Sequence, residues 1–215
     1  MRARSATPDD AAAVIETLAL AFLDDPTWSW AFPDQESRPQ QLRRYWGIYV
    51  HGAIPHGWVW MTEGCGAAAL WIPPGKPELS EEAEAGYEEL LRELVGDHAD
   101  EVMRLVEEFE ANRPGEPHYY LGLLGTHPDH RGRGEGMWLL AENLARIDEL
   151  GMPAYLESSN RDNDHRYESL GFTRIGEFFG PGGEPVVGRM WREPGFGHKR
   201  TGYRMVMAAQ RAKTR

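Results

Sequence analysis

The sequence predicts a mixed α/β fold, with a central β-sheet of about seven strands flanked by helices and a helical insertion between strands 3 and 4. Three observations predict it. Short β-rich segments alternate with amphipathic helical segments. A long acidic stretch at 80–111 has helical periodicity and separates the third strand from the fourth. A glycine-rich loop then links the fourth strand to a helix, which is typical of α/β proteins.

The N-terminal third contains a strand, two helices and two further strands. RARSATPDDAAAVIETLALAF predicts a short strand and then a helix that begins at Pro8 with acidic residues in its first turn. Pro26 disfavours helix at Asp25, so this helix should end near DDP and TWSWAFPD should be an aromatic loop or short turn. QQLRRYWGIYVHGA predicts a second helix, and GWVWMTEGCGAAALWIPP predicts two strands joined by a turn.

The rest of the chain begins with the acidic stretch, which predicts one long helix or two helices broken near Gly96. HYYLGLLGT predicts a central strand, in which Gly122 and Gly125 indicate a bulge or a closely approached backbone. A helix over GMWLLAENLARIDEL, a strand at PAYLES and a short helix at DNDHRYESL follow. GFTRIGEF and VVGRMW complete the sheet.

The composition indicates one globular domain over 1–194, followed by a basic extension over 195–215 that carries six Lys or Arg and no acid. The single cysteine, Cys65, excludes an intramolecular disulfide and a multi-cysteine zinc site. The sequence has neither an apolar run of about 20 residues nor a signal-peptide core, so we expect a cytoplasmic protein with no membrane partner.

The net charge of −11 comes largely from one segment, because the stretch 80–111 holds twelve acids against Arg92 and Arg104. The overall sign disfavours nucleic acid as a partner. The acidic stretch has two interpretations: a solvated helix face, which is the commoner role of such runs, or a surface that attracts a cationic substrate.

The glycine-rich loop HPDHRGRGEG lies between a strand and a helix N-terminus, where unpaired N–H groups and a partial positive charge bind phosphate. Glycines allow close backbone approach, and Arg131 and Arg133 add charged donors. The loop lacks the lysine of a P-loop, and its glycine spacing fails the dinucleotide fingerprint. The residues therefore predict a diphosphate cradle, with an exposed turn as the alternative.

Two motifs carry a family resemblance. Arg131-x-x-Gly134-x-Gly136 resembles the R/Q-x-x-G-x-G/A signature of the GCN5-related N-acetyltransferases (GNAT), and RYESLGF resembles their later YE-x-x-GF motif. A helix and a strand separate the two motifs, as in that family, and the likeness extends to about Trp191. Within the family, the layout is similar to that of puromycin N-acetyltransferase and its relatives.

The resemblance implies the GNAT fold, acetyl-CoA as co-substrate, and a strand LLGT that splays from PAYLES to admit the pantetheine arm. It assigns to cofactor binding Leu123, Leu124, Gly125, Thr126, Arg131, Gly132, Arg133, Gly134, Glu135, Gly136 and Asn163. Glu135 departs from the usual apolar residue. Because a carboxylate would repel a diphosphate, we expect Glu135 to point to solvent and favour the helix dipole.

The resemblance aligns Tyr167 with the family's usual general acid. A phenol with a reference pKa of about 10 stays protonated at neutral pH and can donate to a departing thiolate. The alternative role for Tyr167 is a packed aromatic under Phe172. Glu157 is the first choice for the general base, because the end of its strand borders the cofactor gap. The alternative for Glu157 is a structural carboxylate bonded to a backbone N–H.

Three further titratable residues lie near the loop: His118, His127 and His130. We expect His127 and His130 to belong to the turn that positions the loop. H-P-D-H lacks the helical spacing of a zinc site, so no metal is expected.

The acceptor pocket should come from the N-terminal helices and their loop, where aromatic residues are concentrated. Aromatic walls bind flat or cationic groups, and an aspartate there could hold an ammonium. The alternative is plain core packing, which we expect for at least half of the aromatic residues in this region. The predicted substrate-binding residues are Asp25, Trp28, Trp30 and Tyr45.

The sequence thus predicts an acetyl-CoA-dependent N-acetyltransferase for the primary amine of a small molecule, with an aminonucleoside-type antibiotic as one candidate. The alternatives are a protein or peptide acetyltransferase and a non-catalytic coenzyme A sensor. The chain should be a monomer or homodimer.

Overall fold

The computed structural model describes residues 1–195, so all but the first residue of the predicted basic extension 195–215 lies outside the described part. Seven strands form one mixed sheet in the order β1-β2-β3-β4-β5-β7-β6. Strands β4 and β5 are parallel, and the other neighbouring pairs are antiparallel. The strand bounds are β1 (Ala3–Ser5), β2 (Val59–Thr62), β3 (Ala67–Ile72), β4 (Tyr119–Thr126), β5 (Ala154–Ser158), β6 (Thr173–Phe179) and β7 (Val186–Arg192).

Helices cover both faces of the sheet, as the sequence predicts. Helices α1, α3, α5 and α6 bury their apolar residues in the core on one face, and α7 packs Leu139, Leu140, Leu144 and Ile147 against the other. Within residues 1–195, no helix has the length and apolar character needed to cross a membrane. The helix bounds are α1 (Ala11–Ala21), α2 (Pro26–Ala31), α3 (Arg38–Ala53), α4 (Glu81–Ala85), α5 (Tyr87–Val95), α6 (Ala99–Ala111), α7 (Glu135–Glu149) and α8 (Asp164–Ser169).

The helical insertion lies between β3 and β4, which confirms that prediction, but it contains three helices. The predicted break at Gly96 is present, with φ +57° and ψ −129°, a conformation that glycine adopts without a Cβ clash. A second break falls at Gly86, between α4 and α5. All twelve acids of this stretch are exposed, which favours the solvated-face interpretation.

The prediction that TWSWAFPD forms a loop or short turn is wrong, because α2 occupies most of it. The Asp25 carboxylate caps this helix by accepting from the backbone N–H groups of Thr27 (3.0 Å) and Trp28 (3.2 Å). Pro26 stands at the first helical position, where its fixed φ is favourable and its missing N–H costs nothing. α1 ends at Ala21, before this proline, so Pro26 marks the start of α2 and not the end of α1.

Strand β4 contains the bulge that its glycines predict. Leu123 pairs with Leu70 of β3 and Leu121 pairs with Trp71, so Gly122 is the extra residue. β4 pairs with β5 only over Tyr119–Leu121, although β4 continues to Thr126 and β5 to Ser158. The two parallel strands therefore diverge at the bulge, as the family resemblance implies.

A buried ion pair fastens α7 to the sheet at the end where β4 and β5 are still paired. Arg192 at the end of β7 donates through Nη1 and Nη2 to the two carboxylate oxygens of Asp148 near the end of α7, at 2.7 Å each. Arg192 Nε also donates to the Leu170 carbonyl at 2.9 Å. Both charged side chains are only 3% exposed, so each depends on the other for solvation.

Asp148→Asn should destabilise the protein strongly, because it removes the charge of the buried carboxylate that accepts both Arg192 Nη hydrogen bonds. The expected loss in free energy of unfolding is about 3–5 kcal/mol. Glu88→Gln is the matched control. It breaks an exposed pair with Arg92 and should cost at most about 1 kcal/mol. Urea unfolding monitored by tryptophan fluorescence measures both changes, and equal small losses would contradict this role of the Asp148–Arg192 pair.

Candidate active site

The divergence of β4 from β5 opens into a cavity of about 950 Å³. The cavity borders the glycine-rich loop, the splayed strand ends, the aromatic side chains of α2 and α3, and the insertion helices. It is large enough for a cofactor arm and a small acceptor, since ligand cavities are typically about 300–1,000 Å³.

The cavity collects most of the residues predicted for the site. Arg133 and Trp30 are the two that do not line it. The predicted residues that do are Asp25, Trp28, Tyr45, Leu123, Leu124, Gly125, Thr126, Arg131, Gly132, Gly134, Glu135, Gly136, Glu157, Asn163 and Tyr167.

The glycine-rich loop has the backbone that a diphosphate needs. Gly132 and Gly134 have φ of +79° and +73°, and Gly134 is the N-cap of α7. No atom lies within 4 Å of an ideal Cβ at either glycine, so the backbone is open there. A Cβ at Gly136 would meet Thr126 Oγ1 at 2.5 Å, so this glycine lets α7 approach β4. The loop therefore fits an anion at a helix N-terminus.

The two arginines of the loop differ in position. Arg131 lines the cavity and donates through Nη2 to the Ala21 carbonyl at 3.1 Å, at the C-terminal end of α1. The negative end of that helix dipole favours a guanidinium. Arg133 is exposed and lies outside the cavity lining, so its cofactor contact remains a prediction.

Glu135 does not point to solvent, which corrects the sequence expectation. Its side chain is 12% exposed and accepts from His130 Nδ1 at 2.9 Å and from Thr62 Oγ1 at 3.3 Å. A Cβ at Gly66 would lie within 2.4 Å of both His130 Nδ1 and Glu135 Oε2, so this glycine leaves room for the pair. His130 therefore positions the loop, as predicted, and holds the Glu135 carboxylate in place.

Glu157 contributes a buried carboxylate to the cavity. Within residues 1–195, neither of its oxygens has a partner in hydrogen-bond geometry, which argues against the predicted alternative of a structural bond to a backbone N–H. Burial raises the pKa of Glu157 to about 7, although the Arg113 charge and the nearby Tyr120 and Tyr155 hydroxyls lower it. A carboxylate with this pKa can both accept and release a proton at neutral pH.

Tyr167 lies on α8, where it both packs against Phe172 and faces the cavity. Its ring packs edge-on against Phe172, with centroids 6.2 Å apart, and it also lines the cavity. Burial, with smaller contributions from the charges of Asp25 and Asp164, raises its pKa to about 12. The phenol therefore holds its proton at neutral pH.

Asp25 reaches the cavity, but its oxygens already serve the fold. One carboxylate oxygen caps α2, and the other accepts from Ser159 Oγ at 2.8 Å. Thr27 Oγ1 also donates to the Ser159 carbonyl at 2.9 Å, so α2 is attached to the end of β5. Burial raises the pKa of Asp25 to about 6 despite these bonds. An ammonium would compete with these partners, so the substrate role remains a prediction.

Of the three aromatic residues predicted for the acceptor pocket, Trp28 and Tyr45 border the cavity and Trp30 does not. Trp28 and Trp30 are two residues apart on α2, so they point to nearly opposite sides. Trp28 packs on Trp46 at 4.6 Å between centroids and borders the cavity. Trp30 instead packs on His98 at 4.8 Å, outside the cavity lining. Tyr45 is fully buried and borders the cavity.

Sequence reasoning missed the contribution of the insertion. Tyr45 Oη lies 2.6 Å from Tyr87 Oη and 3.3 Å from Tyr49 Oη. Tyr87 shares the apolar face of α5 with Leu91 and Leu94, and this periodicity was the available signal. The other cavity residues from the insertion and its flanks are Pro77, Glu78, Leu79, Glu84, Val106, Phe109, Glu110 and Arg113.

Known structures share this fold. A structure titled histone acetyltransferase HPA2 and related acetyltransferase, from Corynebacterium glutamicum, superposes with TM-score 0.63 at 21% identity and covers 90% of this chain and 96% of that chain. The polyamine N-acetyltransferase of Drosophila melanogaster, which forms N-acetylagmatine, gives TM-score 0.60 at 17% identity and covers 89% and 99% of the two chains.

A curated relative is the mycothiol acetyltransferase of Propionibacterium freudenreichii subsp. shermanii, which is 34% identical over 85 residues. The match spans 38% of this chain and about a quarter (25%) of the length of that relative. The sequence profile of the Acetyltransferase (GNAT) family matches residues 18–172, most of the described chain, including the glycine-rich loop, Glu157 and Tyr167. The chain therefore belongs to the GNAT acetyltransferase family.

Proposed function

We propose that this acetyltransferase transfers an acetyl group from acetyl-CoA to the primary amine of a small molecule. The carrying observation is the buried carboxylate of Glu157, which lines the cavity beside the divergence of β4 and β5. The Tyr120 and Tyr155 hydroxyls lie close enough to stabilise its charge. An acceptor amine in this cavity would meet a proton acceptor where the thioester enters.

Acetyl-CoA supplies the acetyl group as an activated thioester. The open backbone at Gly132 and Gly134 supports diphosphate binding by the loop, with Arg131 as a charged donor. Residues 122–126 of β4 and Asn163 border the gap in which the pantetheine arm would lie. The β4 backbone beyond Leu121, unpaired with β5, can donate N–H groups toward the thioester carbonyl, which stabilises developing negative charge.

Glu157 and Tyr167 then divide the proton transfers. Glu157 takes a proton from the acceptor ammonium, directly or through one water, and so frees the nitrogen lone pair. The nitrogen forms the new C–N bond as the C–S bond breaks, and Tyr167 Oη gives its proton to the departing sulfur. The nitrogen then loses its second proton through water to the tyrosinate, which leaves a neutral amide and restores the phenol. The pKa of about 7 at Glu157 and about 12 at Tyr167 suit these opposite roles.

The acceptor end of the cavity supports a small molecule. Aromatic side chains of α2, α3 and α5 surround it, with Trp28, Tyr45, Tyr49 and Tyr87 among them. The insertion covers this end, whereas a peptide acceptor would need an open groove. Aminonucleoside antibiotics and simple amines such as agmatine, which the Drosophila fold relative acetylates, are candidate acceptors.

A coenzyme A sensor without catalysis is less well supported, because such a protein has no need of either the buried Glu157 carboxylate or a cavity-facing Tyr167. An amine panel with acetyl-CoA, read by release of free thiol, tests the proposal. At least one small primary amine should release thiol well above the amine-free rate. Turnover with peptides alone, or with no amine at all, would contradict the proposal.

Arg131→Ala should weaken coenzyme A binding about 10- to 150-fold, because a charged hydrogen bond contributes about 1.5–3 kcal/mol. Gly134→Val should also weaken binding, because a β-branched residue is strained at φ +73°. Arg133→Ala is the matched control and should have a smaller effect, since Arg133 lies outside the cavity lining. Calorimetric titration measures all three affinities; unchanged binding in folded Arg131→Ala and Gly134→Val would refute the cradle.

Glu157→Gln should lower kcat/KM by about 10²–10⁴-fold at neutral pH, because the amine loses its proton acceptor. In the parent, kcat/KM should rise with pH through about 7 as Glu157 ionises. In Glu157→Gln, kcat/KM should not rise through pH 7. It should still rise at higher pH, where the acceptor ammonium loses its proton to the solvent. A pH–rate profile measures this, and a parent-like profile in the variant would exclude Glu157 as the base.

Tyr167→Phe should lower the single-turnover rate at pH 7 by about 10²–10⁴-fold, because the departing thiolate loses its acid. The defect should shrink in alkali, since a thiol with a pKa of about 8.5 leaves readily as thiolate there. Folding stability and coenzyme A affinity should change little, because the ring and its packing on Phe172 remain. A parent-like single-turnover rate at pH 7 would leave Tyr167 as a packing residue only.

A further inference from the structure

An ion pair joins the two ends of the helical insertion at the edge of the cavity. Glu78 precedes α4 and Arg113 follows α6, so the pair closes the segment that contains all three insertion helices. Arg113 Nη1 donates a charged hydrogen bond to Glu78 Oε1. The two side chains are 25% and 21% exposed, and both line the cavity.

The Arg113 guanidinium is also fixed against the sheet. Its central carbon lies 4.0 Å from the centroid of the Tyr120 ring, a cation–π contact. Tyr120 of β4 stands beside Tyr155 of β5 in the parallel pairing. Tyr155 and Glu157 share one face of β5, because alternate residues of a strand do. Arg113, Tyr120 and Glu157 therefore meet in one corner of the cavity.

We propose that Arg113, held in place by Glu78, is a positioning residue whose fixed positive charge sets how readily Glu157 takes the proton of the acceptor amine. The proposal rests on the proposed function, in which Glu157 is the base. Arg113 does not bond to either Glu157 oxygen, so it acts through its charge and does not occupy an oxygen that the amine would need.

Five charged or titratable groups define the field at Glu157. Arg113 and Glu78 come from the insertion ends, Tyr120 from β4 and Tyr155 from β5, and Arg189 is the pairing partner of Glu157 on β7. Burial disfavours the carboxylate most, and Arg113 is the strongest opposing influence. The Glu78 charge acts in the same direction as burial. Arg113 and Glu78 therefore act on Glu157 with opposite signs.

This opposition gives a test in two directions. Arg113→Gln removes the favourable charge, so the Glu157 carboxylate should form at a pH higher by about one unit. Glu78→Gln removes the unfavourable charge, and its amide oxygen can still accept from Arg113, which also keeps its contact with Tyr120, so the carboxylate should form at lower pH. Arg113→Lys should stay near the parent, because it keeps the charge. Arg104→Gln, which removes an exposed arginine of α6, is the matched control and should shift nothing.

The measurement is the pH titration of the Glu157 side-chain carbon by ¹³C NMR, assigned by its loss in Glu157→Gln. It needs no acceptor, so it tests the inference even if no amine is turned over. The acidic limb of kcat/KM should move with the NMR midpoint. If Arg113→Gln does not fold, adding it to Glu78→Gln removes both charges, and the midpoint should rise relative to Glu78→Gln alone.

Opposite shifts of the NMR midpoint in the two single variants, or the rise in the double variant, support the inference. Midpoints within 0.2 pH units of the parent, roughly a tenth of the shift that a close charge can cause, would overturn it. If the NMR midpoints shift as expected but no amine releases thiol, the proposed function is refuted. The inference that Arg113 and Glu78 control the ionisation of Glu157 would still stand.

Discussion

The separation of β4 from β5 after Leu121 is the constraint on which the rest of the site depends. Two parallel strands that remained paired to their ends would satisfy each other's backbone groups and leave no gap. The extra residue at Gly122 bends β4 where the pairing stops, because a bulge disrupts the ladder and increases local twist. The antiparallel partners β3 and β7 hold the two diverging strands on their outer sides, so the gap is built into the sheet.

The elements around this gap are secured by polar contacts between distant parts of the chain. Ser159 at the end of β5 binds both Asp25 and Thr27 of the α2 cap, and Arg131 binds the last turn of α1. The Glu78–Arg113 pair closes the insertion over the acceptor end. These contacts enclose the Glu157 side chain. Its burial raises the pKa of the carboxyl to a value suited to proton transfer.

The sequence was sufficient for features set by local chemistry. Glycine spacing predicted the β4 bulge, the break at Gly96 and the open loop before α7. Local rules were incomplete at Pro26, because a proline that disfavours helix at the preceding residue also suits the first position of a new helix. Glu135 is held by nearby His130 and also by Thr62, 73 residues away, and Arg113 meets Glu78 across 35 residues. Such pairings follow from the packed fold, so periodicity and motifs could not reveal them.

The central claim is that the diverging strands hold the thioester beside Glu157 and Tyr167. A crystal structure of the protein with a non-reactive thioether analogue of acetyl-CoA tests this most directly. The account predicts the pantetheine arm between residues 122–126 of β4 and 157–159 at the end of β5, with the diphosphate at residues 131–136. The reactive carbon should face the Glu157 side of the cavity. An analogue bound elsewhere, or β4 and β5 paired along their full length around an empty gap, would contradict the account.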